Sequence, residues 1–340
     1  MELTRLGDTG LLVSRMCLGA MTFGKNQWGL GGLTEREAGP LVDQAIDGGI
    51  NFFDTADVYA RGESEEILGK ILSGRRSRYI VATKVRARMS EDPNDVGLSR
   101  HHILDSVDRS LSRLRTDYID LYQVHSWDPV TPPAETLRAL DDLVRRGKVR
   151  YIGCSNFAAW QLGESLAVSE REGLARFETL QAYYSLVGRD LEHELAPLCE
   201  YRKLGILTWS PLAGGYLSGK YRRGVEGRRT ISTVSNFPPV DSVLGEKVLD
   251  ACEELAEERG APVAAVALAW QLSRPFVTSV ILGAKTGKQL AENLKASELD
   301  LSADDVRRLD EASATRLPYP QWMLAFTSQE RNVFRKTKTD

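Results

Sequence analysis

The chain has 340 residues, 42% hydrophobic and 27% charged, with 44 basic against 47 acidic side chains for a net charge of -3. That balance excludes the basic footprint of a nucleic-acid binder and the like-charge block of an interaction tail, and the length allows a large core without metals or disulfides. The start, MELTRLGDTG, lacks the regions of a signal peptide, and the longest apolar stretch, from Ala261 to Trp270, is too short to span a bilayer, so a cytoplasmic protein is expected.

LTRLG and LLVSRM flank Asp8, Thr9 and Gly10 and predict a small hairpin, with Gly10 supplying the positive φ of the turn. Strand and helix patterns then alternate. MCLG from Met16 reads as a strand, and EREAGPLVDQAIDG from Glu35 as a helix, with Thr34 as N-cap, Glu37 completing a capping box, and Gly48 and Gly49 as its stop. NFFD, YIVATK, IDLYQVH, VRYIGCS, FETLQA, GILTWS and TSVILGA are the further strands. The helices between them are SEEILGKIL, RHHILDSVDRSLSRL, PPAETLRALDDLVRRG (ended by Gly147), FAAWQLGESLAVS and LEHELAPLCEYRK. Two helices follow around Glu246–Arg259 and Pro262–Leu272, and TGKQLAENLKA and SADDVRRLDEAS come after the last strand.

Eight short strands, apolar enough to be buried on both faces and separated by helices, predict an α/β protein with a parallel sheet. The count of eight favours a closed (β/α)8 TIM barrel over an open doubly wound sheet, as one domain over residues 1–340 with an N-terminal β-hairpin. Long connections run from Thr22 to Leu33, Val85 to Ser99 and Ala213 to Asp241, and all follow strands, which puts them on the C-terminal face of such a barrel. The tail after Ala314, with Trp322 and Phe326, either wraps over that mouth or packs on the barrel side. Cys17, Cys154, Cys199 and Cys252 form no CxxC pair and sit in or beside apolar segments, which predicts buried free thiols.

Several motifs fail on inspection. G-x-x-x-x-G-K at Gly214–Lys220 is followed by Tyr221 and no clear helix, which leaves at most a backbone-rich loop suited to a phosphate. No GxGxxG opens the first βα unit, and no GxSxG elbow occurs. His101, His102 and His193 lack metal-ligand spacing and read as solvated surface positions.

What survives is a quartet at strand ends: Asp54 after INFF with Tyr59 just beyond, Lys84 after YIVAT, and His125 after IDLYQV. Singly, these read as a turn residue, a loop aromatic, a strand-end charge and a core histidine. A parallel barrel brings strand ends to one mouth, and together they supply a proton donor whose pKa neighbours can tune. Reducing a carbonyl requires such a donor. A lysine ammonium is expected to lower the phenol's pKa toward neutrality, an aspartate to hold the lysine, and a histidine to align the carbonyl oxygen.

NFFDTADVY, ATK, QVH, GCSNF, LQAYYS, TWSPLAGG and ILGAKTGKQLAEN, in that order, resemble the successive signature segments of the aldo-keto reductase superfamily, from the hairpin to about Leu309. The resemblance implies a barrel that binds NADP(H) without a Rossmann fold and reduces an aldehyde or ketone, with Asp54, Tyr59, Lys84 and His125 as catalytic tetrad. It further implies that Ser155, Asn156 and Gln181 bind the nicotinamide carboxamide and that Trp209 stacks on the ring. Ser210, Pro211, Leu212 and Gly214 to Lys220 would cross the pyrophosphate, Gly283, Lys285, Gln289 and Asn293 would hold the adenosine phosphate, and Met21, Thr22 and Asp54 would complete the cofactor contacts. Many members carry Arg where Gln289 stands; Lys285 and Lys288 are expected to compensate and keep NADP(H) favoured over NAD(H).

A second reading is a regulatory subunit that keeps the cofactor and acts through a partner, as channel-associated relatives do. The expected partner is otherwise a small carbonyl compound, with neither nucleic acid nor membrane involved, and the oligomeric state is not encoded legibly. Phe23, Trp28, Trp127 and Tyr184 are candidate pocket walls, suited to planar or apolar carbonyls and equally to sugars. Arg86 and Arg88 either attract an anionic substrate or are solvated loop charges.

Overall fold

Two antiparallel strands, β1 (Leu3–Arg5) and β2 (Leu12–Ser14), open the chain in a computed structural model that describes residues 1–25, 32–220 and 237–328. Their turn depends on Gly7 and not on Gly10. Gly7 has φ +61, and a Cβ there would lie 2.6 Å from the Glu178 carbonyl, whereas Gly10 stays outside the left-handed region with open space around it. The Thr9 side chain closes the turn instead: its Oγ1 donates to the Leu6 carbonyl at 2.7 Å and accepts from the Leu11 N–H at 3.1 Å.

Eight parallel strands follow: β3 (Met16–Gly19), β4 (Phe52–Asp54), β5 (Ile80–Val85), β6 (Ile119–Val124), β7 (Val149–Ser155), β8 (Phe177–Tyr183), β9 (Gly205–Trp209) and β10 (Val277–Leu282). They pair in chain order and β10 closes onto β3, with Ile281 opposite Cys17. The closed barrel is the expected one.

The connecting helices are α1 (Glu35–Asp47), α2 (Glu63–Ile71), α3 (Arg100–Leu114), α4 (Pro133–Arg145), α5 (Ala159–Glu172) and α6 (Leu195–Arg202). Then come α7 (Ser242–Arg259), α8 (Val263–Leu272), α9 (Gly287–Leu294), α10 (Ala303–Ala312) and α11 (Gln321–Ser328). Short polar side chains start several of them. The Thr34–Glu37 capping box forms, Ser99 accepts from the His102 N–H at 3.2 Å, and Asp241 accepts from the Leu244 N–H at 2.8 Å.

One predicted helix is broken. LEHELAPLCEYRK divides into a 3₁₀ turn, Asp190–Glu192, and α6. Pro197 has no N–H to give to the His193 carbonyl and fits best in a helix's first turn, which is where a start at Leu195 puts it. The His193 carbonyl, four residues before that proline, accepts instead from Gln321 Nε2 at 3.1 Å. This bond tethers the start of α11, whose Trp322, Leu324 and Phe326 stay exposed.

The core has two parts. Outside the barrel, the strands' outward residues pack against the helices, and α8 is buried along its length from Ala264 to Gln271. Trp270 stacks on Tyr184 at 5.3 Å and donates from its indole nitrogen to Asp310 at 3.0 Å, pinning α10 to α8; truncating such a residue typically costs about 3–5 kcal/mol. Inside the barrel, Cys17, Phe52, Ala82, Leu121, Leu207 and Ile281 form an apolar plug that Leu6 and Val13 of the hairpin region close. All four cysteines are free and buried, and burial pushes every thiol up, Cys199 and Cys252 to about 12. Among the described residues no helix is long and apolar enough to cross a membrane.

The two glycines make opposite predictions under urea denaturation. Gly7→Ala is expected to lose on the order of 2 kcal/mol, because it meets a backbone carbonyl at positive φ. Gly10→Ala is expected to stay within about 0.5 kcal/mol of the parent; equal losses at both positions would contradict this assignment of the turn.

Candidate active site

Side chains alternate along a strand, so the inward residue two positions beyond each plug residue lines the next layer up. Phe52 is followed by Asp54, Ala82 by Lys84, Leu121 by Gln123 and Leu207 by Trp209. On β7 and β8 the same layer holds Ser155 and Gln181, which pair directly. Gly153, below Ser155, leaves room for the Thr179 hydroxyl, which a Cβ there would meet at 2.3 Å. The plug is apolar and the layer above it is polar.

Lys84 is completely buried at the centre of that layer. Its Nζ donates to Asp54 Oδ1 at 2.5 Å, to the Thr55 carbonyl at 2.8 Å and to the Tyr59 hydroxyl at 3.4 Å. The other Asp54 oxygen accepts from Gln181 Nε2 at 2.9 Å and from Gln123 Nε2 at 3.2 Å. Tyr59, on a 3₁₀ turn after β4, meets the His125 ring edge-on at 5.8 Å between centroids. The structure thus brings all four tetrad candidates together.

Their electrostatics follow from burial. For Lys84, burial disfavours the ammonium, but Asp54 and then Tyr59 favour it more, so its pKa lies above the ordinary value and the lysine is charged. For Tyr59 the expected lowering does not occur: burial raises its pKa more than Lys84 lowers it, and Asp54 raises it further. The phenol therefore holds its proton. Burial, then the charges of Lys84 and Arg86, depress His125 to about 3, so the imidazole is neutral.

Gln123 was not anticipated, although a polar residue two before His125 on an apolar strand marks the same inward face. Gln181, expected on a carboxamide, has its amide nitrogen engaged by Asp54 and, at 3.4 Å, by Gln123. Asn156, at φ +55, donates to the His125 carbonyl at 3.0 Å and accepts from Trp209 Nε1 at 3.1 Å, which leaves half of its hydrogen-bonding capacity. The Ser155 hydroxyl is buried without a hydrogen-bond partner among the described residues. Trp209 lies 5.2 Å from the Tyr183 ring and stacks on Phe237 at 5.7 Å.

The turn after β9 holds Ser210, Ala213, Gly214 and Gly215 at positive φ, and Ser210 Oγ accepts from the Gly214 N–H at 2.9 Å. The N–H groups from Ala213 to Ser218 bond within this turn or its short 3₁₀ continuation, so they do not form the open row of donors a phosphate loop needs. Pro211 and Leu212 sit in it, with the Pro211 carbonyl held by Gln271 at 2.9 Å, and Lys220 lies 3.9 Å from Glu292. Across the β10 end, the Lys285 N–H donates to Gln289 at 2.9 Å and Asn293 to the Gly283 carbonyl at 3.4 Å, while Lys288 is exposed beside Glu292. Thr22 hydroxyl lies 3.5 Å from the Ala284 carbonyl, next to exposed Met21.

The expected pocket walls fare less well. Tyr184 is fully buried on the outer face of the barrel, against Trp270 and Phe276, with its hydroxyl on Glu192; one residue earlier, inward-facing Tyr183 stands beside Trp209. Phe23 is likewise buried in the outer core, and Trp127 packs its edge on Phe157 and Trp160. Trp28 lies outside the described residues. His102 is not solvated: it is buried beside Asp95, 3.3 Å from its carboxylate, and so anchors the loop between β5 and α3; His193 is half-buried. Beneath the Tyr59 turn, Asp57 is buried near Glu65, which pairs with Arg113 at 2.6 Å. Burial, then the Glu65 charge, raise the Asp57 carboxyl to about 8.

Residues 15–314 match the Aldo/keto reductase family. An uncharacterized oxidoreductase, YrpG, of Bacillus subtilis is 41% identical over 322 residues, covering 92% of this chain and 95% of its own. The versiconal hemiacetal acetate reductase of Aspergillus parasiticus is 36% identical, covering 94% and 99%. A probable voltage-gated potassium channel subunit beta of Oryza sativa is 39% identical, covering 88% and 92%.

Asp57 gives the site a pH signature. A carboxyl whose folded pKa is raised contributes full stability below its unfolded value near 4, and that contribution is lost as pH rises through about 8. Asn cannot ionise. Asp57→Asn is therefore expected to match the parent within about 1 kcal/mol at pH 4 and to exceed it by on the order of a few kcal/mol at pH 9 in urea melts. Parallel pH profiles for the two proteins would refute the buried neutral acid.

Proposed function

The chain belongs to the aldo/keto reductase family of oxidoreductases, and we propose that it reduces an aldehyde or ketone to an alcohol with NADPH, using Tyr59 as the general acid. The observation that carries this reading is the buried Lys84, hydrogen-bonded to Asp54 and to the Tyr59 hydroxyl beside a neutral His125.

When bound, the nicotinamide supplies the hydride. The Ser155 hydroxyl, buried without a partner among the described residues, fits an amide-bearing ring, with Asn156 beside it and Trp209 as the aromatic surface. Gly283, Lys285, Gln289 and Asn293 are the proposed hold on the adenosine phosphate, with Lys288 nearby. As negative charge develops on the carbonyl oxygen, Tyr59 donates its phenolic proton to it. Lys84 stabilises the phenolate left behind, and Asp54 keeps Lys84 charged and in place. His125, uncharged, orients the carbonyl by hydrogen bonding without adding a second cation. A phenol raised by burial stays protonated at neutral pH, and the reaction therefore depends on charge developing next to it.

Tyr59→Phe removes the proton and keeps the ring. Cofactor binding, followed by quenching of protein fluorescence, is expected to persist while kcat for carbonyl reduction falls by roughly two orders of magnitude or more. Near-normal turnover would remove Tyr59 as the acid, and a parent protein that binds cofactor yet reduces no carbonyl would favour a regulatory subunit. For the cofactor, KM for NADPH is expected to lie below that for NADH; the reverse order would overturn the phosphate preference and leave the Tyr59 role intact.

A further inference from the structure

Arg86 is the first residue past β5, two beyond Lys84, and its backbone is strained, at φ +136. A non-glycine residue held there costs on the order of 1–3 kcal/mol, and such strain concentrates where a side chain is needed in one place. The conformation is tied down by the Gly97 N–H, which donates to the Arg86 carbonyl at 2.9 Å. Among the described residues its guanidinium has no ion pair and no hydrogen bond, and its Nε is buried without a partner. Its charge nevertheless reaches the His125 ring.

Three aspartates in the adjoining loops, Asp92, Asp95 and Asp128, are engaged elsewhere. Asp95 holds Arg109 at 2.8 Å and His102, Asp128 accepts from the Leu98 N–H at 2.8 Å and the Thr131 hydroxyl, and Asp92 caps the Asn94 N–H. Arg88, by contrast, is exposed and ties the loop carbonyls of Ser90 and Asp92 together. Of the two loop arginines, Arg88 is structural, and Arg86, one residue past the Val85 carbonyl that accepts from the His125 N–H at 2.9 Å, keeps an unspent charge. The proposed hold on the adenosine phosphate does not claim it: Gly283 to Asn293 follow β10, three strands round the closed barrel from β5.

We infer that this mouth selects carbonyl substrates bearing an anionic group, a carboxylate or a phosphate, which Arg86 binds while His125 and Tyr59 engage the carbonyl. The inference rests on the proposed carbonyl reduction and names the substrate class of that same site. A planar guanidinium offers paired donors to either anion, and in a half-buried position the resulting charge-assisted bonds are stronger than at the surface.

Two matched pairs test it with NADPH: para-carboxybenzaldehyde against its methyl ester, and glyceraldehyde 3-phosphate against glyceraldehyde. For at least one pair the parent is expected to favour the anion by about 10-fold or more in kcat/KM, mainly through KM, with the preference shrinking as salt is raised. The pair that responds identifies the anion. Arg86→Gly, which relieves the positive φ and so keeps the fold, is expected to collapse the ratio toward 1, and Arg86→Lys to retain part of it. No anion preference in the parent, or a preference that survives Arg86→Gly, overturns the inference. Failure of the parent to reduce the neutral and the anionic members alike overturns the carbonyl-reductase reading itself, and this inference with it.

Discussion

An ammonium group with no solvent contact sits at the middle of this barrel, and the rest of the site is arranged around making it tolerable. Burying a lone charge costs several kcal/mol, and deleting one partner of a buried pair typically costs about 3–5 kcal/mol. Lys84 meets this with a full set of partners: the Asp54 carboxylate, the Thr55 carbonyl and the Tyr59 hydroxyl. Asp54 then needs donors for its second oxygen, and Gln123 and Gln181 provide them. One carboxylate thereby links β4 to β5, β6 and β8. Stability and chemistry share the same bonds, so the groups proposed for proton transfer are also a brace across the barrel mouth.

The two layers inside the barrel divide labour. The lower one is an apolar plug closed from beneath by Leu6 and Val13, and it is sealed where a TIM barrel is structural. The upper one is polar and opens toward the loops after the strands. Because inward residues recur every second position, a strand needs only one change of type, such as Leu121 to Gln123, to pass from core to site. The local positive φ values at Arg86, Asn156, Ser210 and Ala213 all follow barrel strands, on the face where function is placed.

Most of the architecture was legible because it depends on short-range pattern. Apolar runs bounded by caps and glycines mark eight strands and the helices between them, and Asp54, Lys84 and His125 stand where those runs end. What escaped depended on parity, packing or burial. LQAYYS shows two adjacent tyrosines, but only the pairing register reveals that Tyr183 faces inward and Tyr184 outward. Gln123 hid inside a run that reads as core. Gly7 rather than Gly10 bears the turn because of a carbonyl on β8, far away in sequence. The Tyr59 shift runs opposite to the sequence expectation for a similar reason: the neighbouring lysine is visible in the sequence, and the complete burial that outweighs it is not.

The four cysteines complete the picture. Each thiol is buried and pushed well above its ordinary pKa, so almost none exists as thiolate at neutral pH. Thiolates are the protein groups that aldehydes, quinones and other soft electrophiles attack first. A protein proposed to handle reactive carbonyls would be alkylated by its own substrates if such a nucleophile stood near the mouth. Here even Cys17, inside the barrel, lies in the sealed layer below the site. The packing that stabilises the barrel therefore also serves as chemical self-protection.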